Sequence, residues 1–214
     1  MKAIITFLWI VFCSCQVFAT AQISDLIIYN GTKYALNSNP LEQYFEKNPD
    51  KRPQGEIMST ALWRGYVATF EIKENQLFLR DIEIQVSDTT RKKNWKSVLH
   101  EVFPDQPNIK LDWLTGLLVL PHGKLVNYVH MGYASTYENY ILLEIDGGNL
   151  KKEKKFNYKD YEAFKSRQFE AFKKTDQYKQ LKAQLKADKT YDDEYIEQFL
   201  RIFVIDYTSK IMED

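Results

Sequence analysis

Cysteine is nearly absent from this 214-residue chain: there are two, Cys13 and Cys15, both close to the start. If that start is removed, thiol catalysis, disulfide stapling, Cys-ligated zinc and iron–sulfur chemistry are all excluded for what remains. Histidine is equally scarce, with three residues in all. Glycine and proline total 8 and 6, so collagen-like and low-complexity architectures fail. Neither sign of charge dominates, because Lys+Arg and Asp+Glu are 29 each. No apolar run reaches the about 20 residues needed to span a bilayer as a helix. Also missing are G-x-S-x-G, a Walker loop, H-E-x-x-H, S-x-x-K and an EF-hand loop, which removes the most direct catalytic assignments.

What is present begins with an export pattern. Lys2 supplies a positive start, Ala3 to Phe12 an apolar core, and Ala19-Thr20-Ala21 the small residues that a signal peptidase accepts. This predicts a signal peptide over 1–21, with cleavage after Ala21. Lipid attachment at Cys15 is the alternative, although Phe12-Cys13-Ser14 fits poorly the small and branched residues usual before a lipidated cysteine. The expected mature chain, Gln22 to Asp214, has no cysteine and no transmembrane segment. It must therefore be held together by a packed core.

The apolar period changes along the chain. From Asp25 to about Phe156 it is mostly two, and from Tyr158 onward it approaches 3.6. Asn30-Gly31 and Asp146-Gly147-Gly148 are hairpin signals, and Lys73 to Gln76 is a turn between two long strands, Leu62–Lys73 and Leu77–Val86. A short helix is expected over Leu41–Lys47. Another is expected through Trp95, Val98, Leu99 and Val102, after a cap at Ser87-Asp88. Ile109–Trp113 and Leu117–Leu120 read as a hairpin, and Leu125–His130 as a further strand. In the last third, Tyr161, Phe164 and Phe172 share one stripe, and Tyr178, Leu181 and Leu185 share another. At ~100° per residue the stripes lie roughly 130° apart, which predicts a break near Thr175-Asp176. Thr190 with Asp193 suggests a cap for a final helix, apolar nearly all round from Phe199 to Tyr207 and hence buried, with a strand over Arg201–Tyr207 as the alternative. The expected fold class is α+β: a curved, mostly antiparallel sheet of roughly eight strands within 22–156, followed by packed C-terminal helices within 157–214.

Charge is separated locally. Residues 151–190 carry 13 Lys+Arg against 6 Asp+Glu, while residues 191–214 carry 2 against 7. An anionic polymer surface is one reading of the basic block. Complementary charge on neighbouring helices is the plainer one. Export and the neutral total argue against nucleic acid.

Two segments concentrate chemistry. In the first, Trp63-Arg64-Gly65-Tyr66, an arginine lies among aromatics. Arg64 could clamp an anionic or sugar-like ligand, or pair inside the sheet with Asp81 or Glu83. Gly65 suggests a bulge or a close backbone approach. The second runs from His130 to Tyr140 and holds Tyr133, Ser135, Tyr137 and Glu138. His130, Ser135 and Glu138 could form a hydrolytic set, but closeness in sequence says little about convergence, and a loop packing its tyrosines on the sheet edge is the plainer reading. His122, His130 and Glu138 match no recurring zinc spacing, so no metal and no cofactor are expected.

Trp63 to Ile72, with Leu77-Phe-Leu79 and Ile82, resembles an uncharacterised family of bacterial proteins. Val129 to Tyr133 and Tyr137-Glu138 are similar to a second region shared in that family. The resemblance covers the sheet region and not the C-terminal helices. It implies a bacterial origin and one structural unit for the two stretches, and it carries no activity.

The resulting expectation is an exported envelope protein, periplasmic or extracellular, that binds a protein or carbohydrate partner without catalysis through Trp63, Arg64, Tyr66, His130, Tyr133, Tyr137 and Glu138. The alternatives are an envelope hydrolase using His130–Glu138, or an immunity-type protein that blocks a toxin.

Overall fold

A computed structural model describes residues 20–57, 59–87, 93–104, 106–187 and 192–212. Among these residues nine strands form one sheet. They are β1 (Asp25–Tyr29), β2 (Thr32–Leu36), β3 (Tyr66–Lys73), β4 (Gln76–Ser87), β5 (Lys93–Ser97), β6 (Ile109–Lys110), β7 (Gly116–Asn127), β8 (Thr136–Asp146) and β9 (Asn149–Asn157). Their order is β2-β1-β3-β4-β9-β8-β7, with β5 and β6 also pairing to β4. Every pairing is antiparallel except β1 with β3. The β1–β2 turn uses Asn30 and Gly31 at φ 50° and 75°, the left-handed pair that a tight hairpin demands.

The sheet curls. β9 meets β4 only at Asn149 and Gln76. The chain leaving β2 comes back against β7, where Asn37 N–H donates to Val119 O at 2.9 Å and Ser38 Oγ accepts from Val119 N–H at 3.2 Å. The concave side closes over Ile27, Tyr66, Phe70, Ile82, Leu118, Leu120, Ile141 and Leu143, with Phe45 inserted from α1 (Glu42–Lys47).

Residues 117–120 of β7 and 140–143 of β8 are buried on both faces, which is why LLVL and YILL are continuously apolar rather than alternating. Leu117, Val119, Tyr140 and Leu142 point the other way. There they meet Tyr161, Phe164, Phe169 and Phe172 of α3 (Tyr158–Phe172) in a second core. Each large apolar side chain so buried stabilises the layer by about 1.5–3 kcal/mol.

The helical layer breaks where expected. α3 ends at Phe172, and Thr175 Oγ1 accepts from Tyr178 N–H at 3.1 Å to start α4 (Asp176–Ala187). α5 (Asp193–Ile202) is capped by Asp192, and α6 (Val204–Tyr207) follows after the single residue Phe203. Lys182 and Lys186 of α4 reach Asp193, and Lys173 reaches Glu170 and Glu197, so this part of the basic block faces acidic neighbours. A C-terminal strap is tied down at Ile211, whose N–H donates to Glu144 Oε2 at 2.7 Å.

Several sequence expectations are corrected. The strand containing Tyr66 begins there and not at Leu62; Thr60–Leu62 is a 3-10 turn. The helix expected through Trp95 is instead β5, which satisfies the edge of β4 from Glu83 to Ser87, followed by a short α2 (Leu99–Val102). Ile109 pairs with β4 rather than with Leu117–Leu120, and no separate strand starts at Leu125. β7 continues through bulges around Gly123, with Pro121 on its outer edge. The final helical stretch is not buried all round: Ile202 is 55% and Phe203 38% exposed. The stretch is helical as expected, and the alternative of a strand over Arg201–Tyr207 is not realised. The signal segment up to Ala19, Asp88 and Thr190 lie outside the described residues. No helix among the described residues is long and apolar enough to cross a membrane.

Candidate functional site

The turn from Leu62 to Gly65 sorts its side chains. Gly65 adopts φ 84°, and a Cβ on Gly55 would stand 3.0 Å from Gly65 O, so the two backbones touch there. This reversal sends Arg64 inward, 2% exposed, and leaves Trp63 55% exposed.

Arg64 joins the two segments singled out in the sequence. Its Nη1 donates to Tyr133 Oη at 2.6 Å, and Nη2 donates to Asp25 Oδ1 and to Ile23 O, each at 3.0 Å. Tyr133 passes its own proton to Asn39 Oδ1 at 2.9 Å. Asp25 Oδ1 also accepts from Ala68 N–H at 2.9 Å, which ties the network to β3. Beside it, Tyr66 Oη donates to Glu42 Oε1 at 2.8 Å, and Arg52 holds Glu42 through two bonds of 2.9 and 2.8 Å. The partner of Arg64 is therefore Asp25 and not Asp81 or Glu83. Asp81 instead accepts from Ser97 Oγ at 2.6 Å.

Burial raises the Asp25 carboxyl to about 6, against the lowering pull of Arg64 and the Ala68 N–H. Burial likewise lifts Tyr133 to about 12 and Tyr66 well beyond its usual range. Both phenols are thus protonated at neutral pH, which suits Tyr133 as acceptor from Arg64 and donor to Asn39. Burial alone would raise Glu42, but the bonds from Arg52 and Tyr66 hold it below the ordinary carboxylate value.

In front of this wall lies a cleft between the sheet and the C-terminal helices. It consists of two adjoining cavities of about 600 and 630 Å³ that share Ser38, Asn39, Trp63, Ile205 and Asp206. Tyr133 and Ser135 line the second, so the Trp63 and His130–Glu138 segments contribute to one concave site. Asp206 is exposed to solvent on the rim of the cleft. Crowding by the cleft walls partly desolvates its carboxyl and raises it to about 6, and no hydrogen bond or ion pair to its side chain occurs among the described residues.

The other candidates have different places. Tyr66 is fully buried, and with Arg64 it forms the wall rather than a ligand surface, so Arg64 is not an anion clamp open to solvent. His130 is exposed and its ring lies edge-on to Tyr128, with centroids 4.6 Å apart. Ser135 Oγ accepts from Val129 N–H at 3.1 Å and donates to Val129 O, closing its own loop. Tyr137 packs on the second core, and Glu138 accepts from Lys124 N–H at 3.2 Å in the β7–β8 bulge. No group of three or more His, Cys, Asp or Glu able to hold a metal occurs among the described residues.

Asp25, Asn39 and Asp206 were not among the residues singled out from sequence. A signal existed for Asp206, the sole acid in an otherwise mostly apolar stretch from Phe199 to Tyr207. For Asp25 and Asn39 there was none, since their partners lie 39 and 94 residues away. The chain was compared with protein-family models, with curated proteins and with solved structures, and none of them matches it.

Proposed function

We propose that this is an exported bacterial envelope protein that binds a carbohydrate, without catalysis, in the cleft in front of Trp63. The observation that carries this reading is the indole of Trp63, 55% exposed where the two cavities join and bounded by Ser38, Asn39 and Asp206. Sugars offer an apolar C–H face to an aromatic ring and hydroxyls to amides and carboxylates at its rim. The Arg64–Tyr133–Asn39 chain fixes the Asn39 amide from behind, so the polar rim is set before a ligand arrives. Export and bacterial origin rest on the Lys2-to-Ala21 pattern and on the Trp63–Ile72 resemblance. Binding is favoured over hydrolysis because Ser135 and Glu138 already serve backbone groups of their own loops.

The test is calorimetric titration of the purified chain with defined envelope oligosaccharides, including N-acetylglucosamine oligomers. Trp63→Ala should weaken binding at least about tenfold while leaving the thermal midpoint nearly unchanged, since the ring is largely exposed. No binding by any oligosaccharide, or binding indifferent to Trp63→Ala, overturns the reading.

A further inference from the structure

The charges lining the cleft do not balance. Its ionisable carboxylates and amines are Glu42, Glu46, Glu162, Lys165 and Asp206. Two of the acids are already answered: Glu42 by Arg52 at 2.8 Å, and Glu162 by Lys165 at 2.7 Å. Asp206 and Glu46 are left without an ion pair among the described residues, although Arg52 attracts Glu46 at longer range. Among the described residues, the wall of the first cavity, which both of them line, has no lysine, arginine or histidine.

The same cavity exposes Trp63. Its indole makes no ring contact or hydrogen bond among the described residues, whereas Trp113 stacks on Phe103 and both meet the tilted ring of Tyr44. An open indole face and an unpaired carboxylate on one cavity are the two elements that recognise an ammonium group. The ring quadrupole attracts the cation, and the carboxylate supplies the counter-charge in a partly desolvated space.

We propose that the ligand carries a positive charge, an ammonium group seated between Trp63 and Asp206, with Glu46 adding a longer-range attraction. This rests on the cleft being the binding site and narrows its ligand from carbohydrate in general to an amine-bearing one. A phosphorylated or uronic-acid ligand would meet Asp206, uncompensated among the described residues, and Glu46, balanced only at a distance by Arg52, and is disfavoured.

Two glucosamine tetramers separate the possibilities: one N-acetylated and neutral, the other N-trimethylated, with a charge that does not titrate. Calorimetry near neutral pH should show the charged tetramer binding about tenfold tighter. Asp206→Asn should bring the two within about twofold of each other, largely by weakening the charged one. Glu46→Gln should narrow the gap by a smaller factor. Asp206 has no side-chain partner to lose among the described residues, so the Asn variant keeps the fold, and its thermal midpoint checks this. Equal affinity of the two tetramers for the unaltered protein overturns the charge assignment and leaves carbohydrate binding standing. A preference that survives Asp206→Asn overturns it as well. Failure of both tetramers to bind overturns the amine assignment, and failure of the wider oligosaccharide panel as well overturns the cleft reading itself.

Discussion

Asp25 and Asp206 stand on opposite sides of the same small region and teach different things about it. Both carboxyls are raised to about 6 by desolvation, Asp25 in the interior and Asp206 among the walls of an open cleft. Asp25 is 0% exposed and held by Arg64 and the Ala68 N–H, while Asp206 stands in the cleft with no partner among the described residues. The first belongs to a closed wall whose groups are spent on one another. The second is an open valence. A raised carboxyl therefore does not by itself locate a site; what distinguishes these two is whether the surrounding protein supplies the counter-charge.

The contrast is broken most severely from the wall side. Arg64→Leu strands Asp25 in the interior and should cost about 3–5 kcal/mol in urea denaturation. Adding Asp25→Asn should recover part of that loss, because the amide still accepts from Ala68 while the charge is gone. A double variant no more stable than Arg64→Leu would show that the charge is not the source of the penalty. Asp25 Oδ2 and Arg64 Nε already lack partners among the described residues, so the wall has little to spare.

Tyr133→Phe is gentler. It removes the bond from Arg64 and the bond to Asn39 without opening a cavity, and about 1–2 kcal/mol should be lost. It should also weaken ligand binding, because Asn39 is no longer held in place. A loss of stability with affinity unchanged would separate the wall from the cleft.

The smallest effect is at Asp206 and has the opposite sign. Its folded-state value lies above the ordinary 3.8, so the folded protein prefers the protonated acid and is penalised once the carboxyl ionises. That penalty is complete above the folded value, fades as pH falls through it, and vanishes below the ordinary value. The surroundings include Tyr207 on α6, Tyr161, Glu162 and Lys165 on α3, Tyr133, and Glu42 and Glu46 on α1. Of these, only Lys165 is cationic, and Glu162 occupies it. Discounted for solvent screening, Asp206→Asn should raise stability at about pH 8 by roughly 1 kcal/mol, or about 2–4 °C. The gain should disappear near pH 4. A gain that is constant with pH would mean that the carboxylate's charge is not responsible.

Local signals in the chain were read well where the cause was local. Asn30-Gly31 and Gly147-Gly148 turn because few residues tolerate positive φ, and Thr175 starts α4 because its hydroxyl caps a free N–H. The change from period two to 3.6 placed the sheet before the helices. The misreadings were choices of partner. Lys93–Ser97 has no strand pattern of its own and becomes β5 because β4 offers an unsatisfied edge. Ile109 joined β4 instead of β7, with the turn at Gly148 fitted so closely over Leu111 that a Cβ there would stand 2.6 Å from its carbonyl oxygen. Of the two chemical segments, Arg64 and Tyr133 are joined by a hydrogen bond and Trp63 reaches the cleft. Tyr66 went into the core, and Glu138 went into a bulge.

Composition and periodicity alone thus determined a cysteine-poor α+β chain with its helices last, because turn geometry and the spacing of apolar residues act over a few positions. Which carboxylate would receive Arg64, and which would be left open beside Trp63, was decided only when β1, the β2–α1 loop and α6 came together. Charge pairing in a folded chain depends on distance in space, and nothing in the local sequence of Asp25 or Asp206 encodes it.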